Sequence, residues 1–209
     1  MIRTHTGWLM ATDAFALADT HLGHGPAILR FRDQFSSYQE HDDHIIKQIN
    51  DTVNPNSTLI LAGDVAIKAE GWERLQELHC RNIVIVPGNH CGERARIKLG
   101  KNMRIVGADS RRLPIGRLEA VITHIPVHPQ CLDRWHVNIH GHLHADTVKD
   151  DPRYYCVSCE QLDYRPRKLE DIYYDFLYRA VHAGELDLPD WVFDRQIQPP
   201  EKTNGPCIG

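Results

Sequence analysis

A chain of 209 residues, 42% hydrophobic and 25% charged, has the length of one domain with at most a modest appendage and the composition of a soluble globular protein. A formal charge of −4 argues against a protein that coats a nucleic-acid backbone, and no apolar stretch approaches the roughly 20 residues of a membrane span. Six cysteines, scattered apart from Cys156 and Cys159, do not make a disulfide scaffold, and the start "MIRTHTGWLMATDAFALADTH" lacks the pattern of a secretory signal, so a reduced, cytoplasmic protein is expected.

In chain order, "FALADTH", "TLILAGD", "NIVIVPGNH", "AVITH" and "VNIHGHLH" are short Val/Ile/Leu/Ala-rich runs, each ending in a polar cluster, and read as buried strands. Between the early ones, residues 38–52 place Ile45, Ile46 and Ile49 on one helical face, and residues 70–79 do the same with Trp72, Leu75 and Leu78. Alternation of strand and helix predicts a parallel sheet in the first half. The second half has closely spaced strands and then a helix over 166–184, ended by Gly184. We expect one domain over residues 1–198, and a loosely ordered Pro/Gly-rich tail over 199–209. The lone Cys156-x-x-Cys159 reads as a pair of strand residues rather than half a zinc site.

The polar clusters all stand at the C-terminal ends of the apolar runs, the edge where α/β sheets bind ligands. They bring together Asp19, His21, Asp64, Asn89, His90, His124, His142 and His144, from a chain that holds 14 histidines. Carboxylate, amide oxygen and imidazole suit first-row divalent cations, and the absence of cysteine argues against a thiolate site. Each element alone is weak: a lone D-x-H or H-x-H is common in solvated loops. Two metals would need a bridging ligand, for which a carboxylate with two oxygens is suited, and Asp64 in "LAGDV" is the candidate.

The ordered set D-T-H (19–21), G-D (63–64), G-N-H (88–90), T-H (123–124) and G-H-L-H (141–144) resembles the calcineurin-like metallophosphoesterase superfamily, over roughly residues 15–170. "DTHLGHGPAILRF", "EHDDHIIKQIN" and "YRPRKLEDI" are similar to its small single-domain bacterial and phage-type members. The resemblance implies an α/β fold, a β-sandwich of two mixed sheets flanked by helices. It implies two divalent ions, Mn foremost with Fe, Zn, Ni or Co as alternatives. Asp19, His21, Asp64 and His144 would hold one ion, and Asp64, Asn89, His124 and His142 the other, with His90 as the catalytic imidazole. Cys91 stands after "GNH" where family members often carry an acid, so whatever orients His90 must come from elsewhere.

The function this implies is hydrolysis of phosphodiesters of nucleotide type, with phosphomonoesterase and DNA exonuclease as enzyme alternatives and a metal-containing protein-binding scaffold as the non-enzyme one. The expected partner is a small phosphorylated substrate, with no membrane and no extended nucleic-acid track. His24, Arg30 and Arg94 are candidate substrate contacts; Arg32 and Arg96 could also hold phosphate oxygens, although solvated surface positions are the simpler expectation for all four arginines.

Overall fold

The computed structural model describes residues 13–91, 103–105, 111–115 and 118–183; the expected tail at 199–209, Gly184, Arg94 and Arg96 lie outside them. Nine strands form two sheets. In the first, Ala14–Leu17 (β1), Thr58–Ala62 (β2), Asn82–Val86 (β3) and Met103–Ile105 (β4) run parallel, and Arg167–Lys168 (β9) pairs antiparallel with β1. In the second, Arg111–Ile115 (β5) is antiparallel to Leu118–Ile122 (β6), which runs parallel to Val137–His140 (β7), itself parallel to Tyr154–Cys156 (β8). Both sheets are mixed, and the first half is parallel as its alternation predicted.

Small residues let the sheets approach. Ala14, Ala16 and Ala18 of β1 and its end, with Ile60, Ala62, Val84 and Val86, face Ala120, Ile122, Val137, Ile139 and Val157, and Phe176 and Ile172 close the layer. These last two belong to Leu169–Ala183 (α3). On the other face of the first sheet Leu17, Leu59, Leu61, Ile83 and Ile85 bury Ile45, Ile46 and Ile49 of Tyr38–Thr52 (α1) and Trp72 of Ala69–Arg74 (α2). Strands covered on both faces need no polar side, which is why they read as continuous apolar runs.

α1 has the predicted bounds: Ser37 accepts from the amide of Glu40, and Glu40 Oε2 accepts from the amide of Ser36, a reciprocal N-terminal cap. The helix expected over 70–79 is shorter. It gives way at Leu75–Glu77 to a 3-10 turn, because Asn50 of α1 donates to the Glu77 carbonyl and accepts from the His79 amide, taking the groups a longer helix would use. The helix expected from 166 begins at Leu169, since Arg167 and Lys168 are taken into β9 beside Ala16 and Phe15. Cys156 closes β8, but Cys159 opens a 3-10 turn, Cys159–Gln161, correcting its assignment to a strand; both thiols are free, buried and pushed up in pKa by that burial.

Gly71 shows how tightly α2 rests on the first motif. A methyl group there would lie 2.1 Å from the Leu22 carbonyl oxygen. Gly→Ala inside a helix ordinarily gains up to about 1 kcal/mol. Here the sign should reverse: Gly71→Ala is expected to destabilise the fold by about 2 kcal/mol through overpacking, measured as a lower denaturant midpoint at unchanged slope.

Candidate metal centre

β1 and β2 stay zipped beyond their ends, the amide of Asp19 donating to the Gly63 carbonyl, His21 to Asp64, and Leu22 to Val65, at 2.9–3.1 Å. The two sheets join at the same level: the Ala18 amide donates to the Val157 carbonyl at 2.8 Å, and the Gly141 amide to the His124 carbonyl at 2.9 Å. The ends of β1, β2, β3, β6 and β7 therefore converge, and with them Asp19, His21, Asp64, Asn89, His124, His142 and His144.

Five of these residues occupy the left-handed backbone region: Asp19 (φ 58°), His21 (48°), Asp64 (46°), His142 (71°) and His144 (53°). Such a conformation costs a residue with a Cβ on the order of 1 kcal/mol or more, and it persists only where the surroundings impose it. Gly63, at φ 93°, makes the tightest point, since a Cβ there would lie 2.2 Å from His124 Nδ1.

Second oxygens and second nitrogens are occupied in a way that leaves one donor atom of each residue facing inward. Asp19 Oδ2 accepts from Ser158 Oγ at 2.6 Å and from the His142 amide at 2.9 Å, whereas buried Asp19 Oδ1 has no hydrogen-bond partner among the described residues. Asp64 Oδ1 accepts from the His90 amide at 2.8 Å, so Oδ2 alone faces both His124 Nε2, 3.2 Å away, and His21 Nε2, 3.9 Å away. Of the two oxygens of the bridging candidate Asp64, Oδ2 is the one that faces the two imidazoles. His124 Nδ1 lies 3.1 Å from the Ala62 carbonyl and His144 Nδ1 2.9 Å from Glu160 Oε1; these outer contacts hold each Nδ1 and turn each Nε2 toward the cluster. His124 Nε2 is also 2.8 Å from Asn89 Oδ1. Both ring nitrogens of His21 are buried with no hydrogen-bond partner among the described residues.

Two overlapping groups result, Asp19 with His21 and His144, and Asp19 with Asp64 and His124. Orphaned buried donors, imidazoles turned inward by outer contacts and a mixed O/N set fit divalent first-row cations, and the carboxylate on His144 is the usual support of a metal-ligating imidazole.

The electrostatics agree. Burial works to raise the Asp64 carboxyl, but the hydrogen bonds at His124 and the His90 amide outweigh it and hold it low, so Asp64 is ionised at neutral pH. Burial raises Asp19, against its Ser158 bond. Burial, then Arg32, keeps His21 well below the usual imidazole range and therefore uncharged. Burial works to lower His124, but Asp64 and Asp19 outweigh it and raise it, and the Glu160 bond raises His144 against burial, so the buried carboxylates draw positive charge to the cluster, a demand that divalent cations would also meet.

His90 is exposed at the rim, its ring centroid 6.0 Å from that of His21, and its ring makes no hydrogen bond among the described residues. Cys91, where an acid was the family expectation, is buried in the core under α2. His24 is half-buried, 5.5 Å ring to ring from His21, and its Nδ1 has no hydrogen-bond partner among the described residues. Arg30 closes an exposed 3-10 turn, Gly25–Arg30, and no hydrogen bond or ion pair joins it to the cluster among the described residues. Arg32 is neither a surface residue nor a phosphate contact: it is 1% exposed and directed inward.

Sequence reasoning missed a sixth strand end. β8 leads to Ser158 and Glu160, which hold Asp19 and His144, and the positional rule applied to "YYCVSCE" would have found them had the two cysteines not drawn the reading. Two mixed sheets, face to face, with the motif residues gathered at one shared edge, are the architecture the sequence resemblance implied.

No family model matches the chain. An uncharacterized protein of Methanocaldococcus jannaschii is 27% identical over 183 residues, covering 82% of this chain and 93% of that protein. Among solved structures, a protein of unknown function from Aquifex aeolicus superposes with a TM-score of 0.60 at 19% identity, over 77% of this chain and 97% of the other, and so shares the fold. An archaeal phosphodiesterase gives 0.43 at 22% identity, over 70% and 82%. The candidate site is presented on loops carried by a sheet edge. Among the described residues no helix is long and apolar enough to cross a membrane.

Proposed function

We propose that this chain is a dinuclear-metal phosphoesterase that prefers compact phosphodiesters of nucleotide type, including cyclic nucleotides. The observation that carries the reading is Asp64 Oδ2, one ionised oxygen facing His21 on one side and His124 on the other. Asp19, His21, Asp64 and His144 would hold one ion and Asp64, Asn89, His124 and His142 the other, with Mn preferred and Fe, Zn, Ni or Co able to substitute. Two such ions, when bound, supply Lewis acidity toward the phosphoryl group and a hydroxide nucleophile at neutral pH. The chain's own residues do the rest. Asp64 and Asp19 fix the donor cluster, His90 offers a proton to the leaving oxygen from the exposed rim, and His24, Arg30 and Arg94 are the candidate contacts to substrate oxygens.

Compactness of the substrate follows from charge. With Lys and Arg totalling 24 against 28 Asp and Glu, the chain has no net excess of basic residues to hold a polynucleotide backbone. We expect kcat/KM to rank aryl diesters and 2′,3′-cyclic nucleotides above aryl monoesters, and these above long DNA. Processive degradation of DNA with a steep salt dependence of binding would replace this reading with a nuclease. Full metal occupancy with no turnover on any of these substrates would replace it with a binding scaffold.

A further inference from the structure

Arg32 belongs to no motif of the metal cluster, yet it is the largest fully buried side chain among the described residues, and its guanidinium reaches the cluster's supports from behind. Nη2 donates to the Asp19 carbonyl at 2.6 Å, and Nε donates to Glu160 Oε1 at 2.9 Å. Nη1 lies 2.7 Å from His41 Nε2. Arginine only donates, so this last contact settles the imidazole: Nε2 of His41 accepts, and its proton sits on Nδ1, 2.8 Å from Asp42 Oδ1. The other oxygen of Asp42 accepts from the Gly23 amide at 2.9 Å, in the loop that carries His21. The chain of bonds therefore has one direction throughout, set by the guanidinium. On its other side Glu160 Oε1 takes both Arg32 and His144 Nδ1, which can only donate to it.

We infer that Arg32 is a positioning residue for one half of the metal centre: through Glu160 it aims His144 Nε2 inward, through the Asp19 carbonyl it holds the Asp19 turn, and through His41 and Asp42 it braces the His21 loop. All three predicted ligands private to the first ion are supported by this one side chain. Asn89, His124 and His142 touch none of its partners except through Asp19, whose Oδ2 accepts from the His142 amide. A lysine keeps the charge but cannot span three acceptors in fixed directions.

This inference rests on the proposed dinuclear site, and the test separates the two. Wild-type protein titrated with Mn²⁺ by calorimetry reports the dinuclear reading, through its two binding events. Arg32→Lys and Glu160→Gln are expected to weaken one event by about 10–100-fold, the usual cost of losing an outer support of a ligand, and to leave the other within about twofold. Nitrogen-15 spectra of the metal-free protein at alkaline pH give a readout that needs no metal: His144 should be the Nδ1–H tautomer in the wild type and a mixture in both variants. Equal weakening of both events, a lower melting temperature with both affinities unchanged, or an Nε2–H tautomer of His144 in the wild type would each overturn the assignment.

Discussion

Asp64→Asn is expected to abolish tight binding at both metal positions, and to lower turnover by on the order of 10³-fold or more, since metal-borne charge stabilisation contributes several kcal/mol to phosphoryl transfer. The reason is the geometry of one oxygen. Asp64 Oδ1 is taken by the His90 amide, and Oδ2 is the atom set between His21 and His124. An asparagine can keep the first bond through its carbonyl, so the loop is retained, but it then turns an NH₂ group toward the two nitrogens that would bind cations in the proposed site. Asp19→Asn is the comparison: the proposed ligand sets give Asp19 to the first ion, and because Asp19 also lies beside Asp64 and His124, the variant should lose that ion and weaken the other less than Asp64→Asn does. Elemental analysis and Mn²⁺ titration of the two variants check this. Two ions retained at wild-type affinity in Asp64→Asn would remove Asp64 from the bridge, and a large drop in melting temperature of the metal-free variant would mean that it unfolds instead.

The fold was legible where burial is uniform. β1, β2 and β3 are covered on both faces, so "FALA", "TLILA" and "NIVIV" show up as unbroken apolar runs, and α1 announces itself through both its isoleucine stripe and its cap. It was less legible where a tertiary partner decides the boundary: Asn50 ends α2 early, and pairing with β1 draws Arg167 and Lys168 out of the helix that follows them. Candidate ligands were legible because each sits just past a strand, a position that is local in sequence. Their supports were not. Arg32 and Glu160 lie 128 positions apart, Ser158 and Asp19 139 apart, and a buried arginine looks like any other arginine in a sequence until its partners are known. The left-handed backbone of Asp19, His21, Asp64, His142 and His144 was equally hidden, since nothing in a carboxylate or an imidazole announces that its main chain will be strained.

His90 separates binding from chemistry, because its two roles are carried by different parts of the residue. Its main-chain amide holds Asp64 Oδ1, a contact that any residue at position 90 would keep, while its ring stands exposed above the cluster. His90→Ala is therefore expected to bind two Mn²⁺ ions as the wild type does and to lose about 10²–10⁴-fold in turnover, the range for a positioned proton donor. The size of the loss should depend on the substrate. A leaving group that departs readily as an anion needs little protonation in the transition state, so the deficit should shrink across a series of aryl diesters as the phenol becomes more acidic, and should be greatest for an alkyl or nucleoside leaving group. With Cys91 buried next to it in place of an acid, the ring has no carboxylate from its own motif to orient it. His24, half-buried 5.5 Å ring to ring from His21, is a further imidazole at the same edge, and a His24→Ala variant with a flat, leaving-group-independent deficit would place His24 on the phosphate and leave proton delivery to His90 alone. A His90→Ala deficit that stays constant along the series would take the proton away from His90, and loss of an ion in that variant would make His90 a ligand.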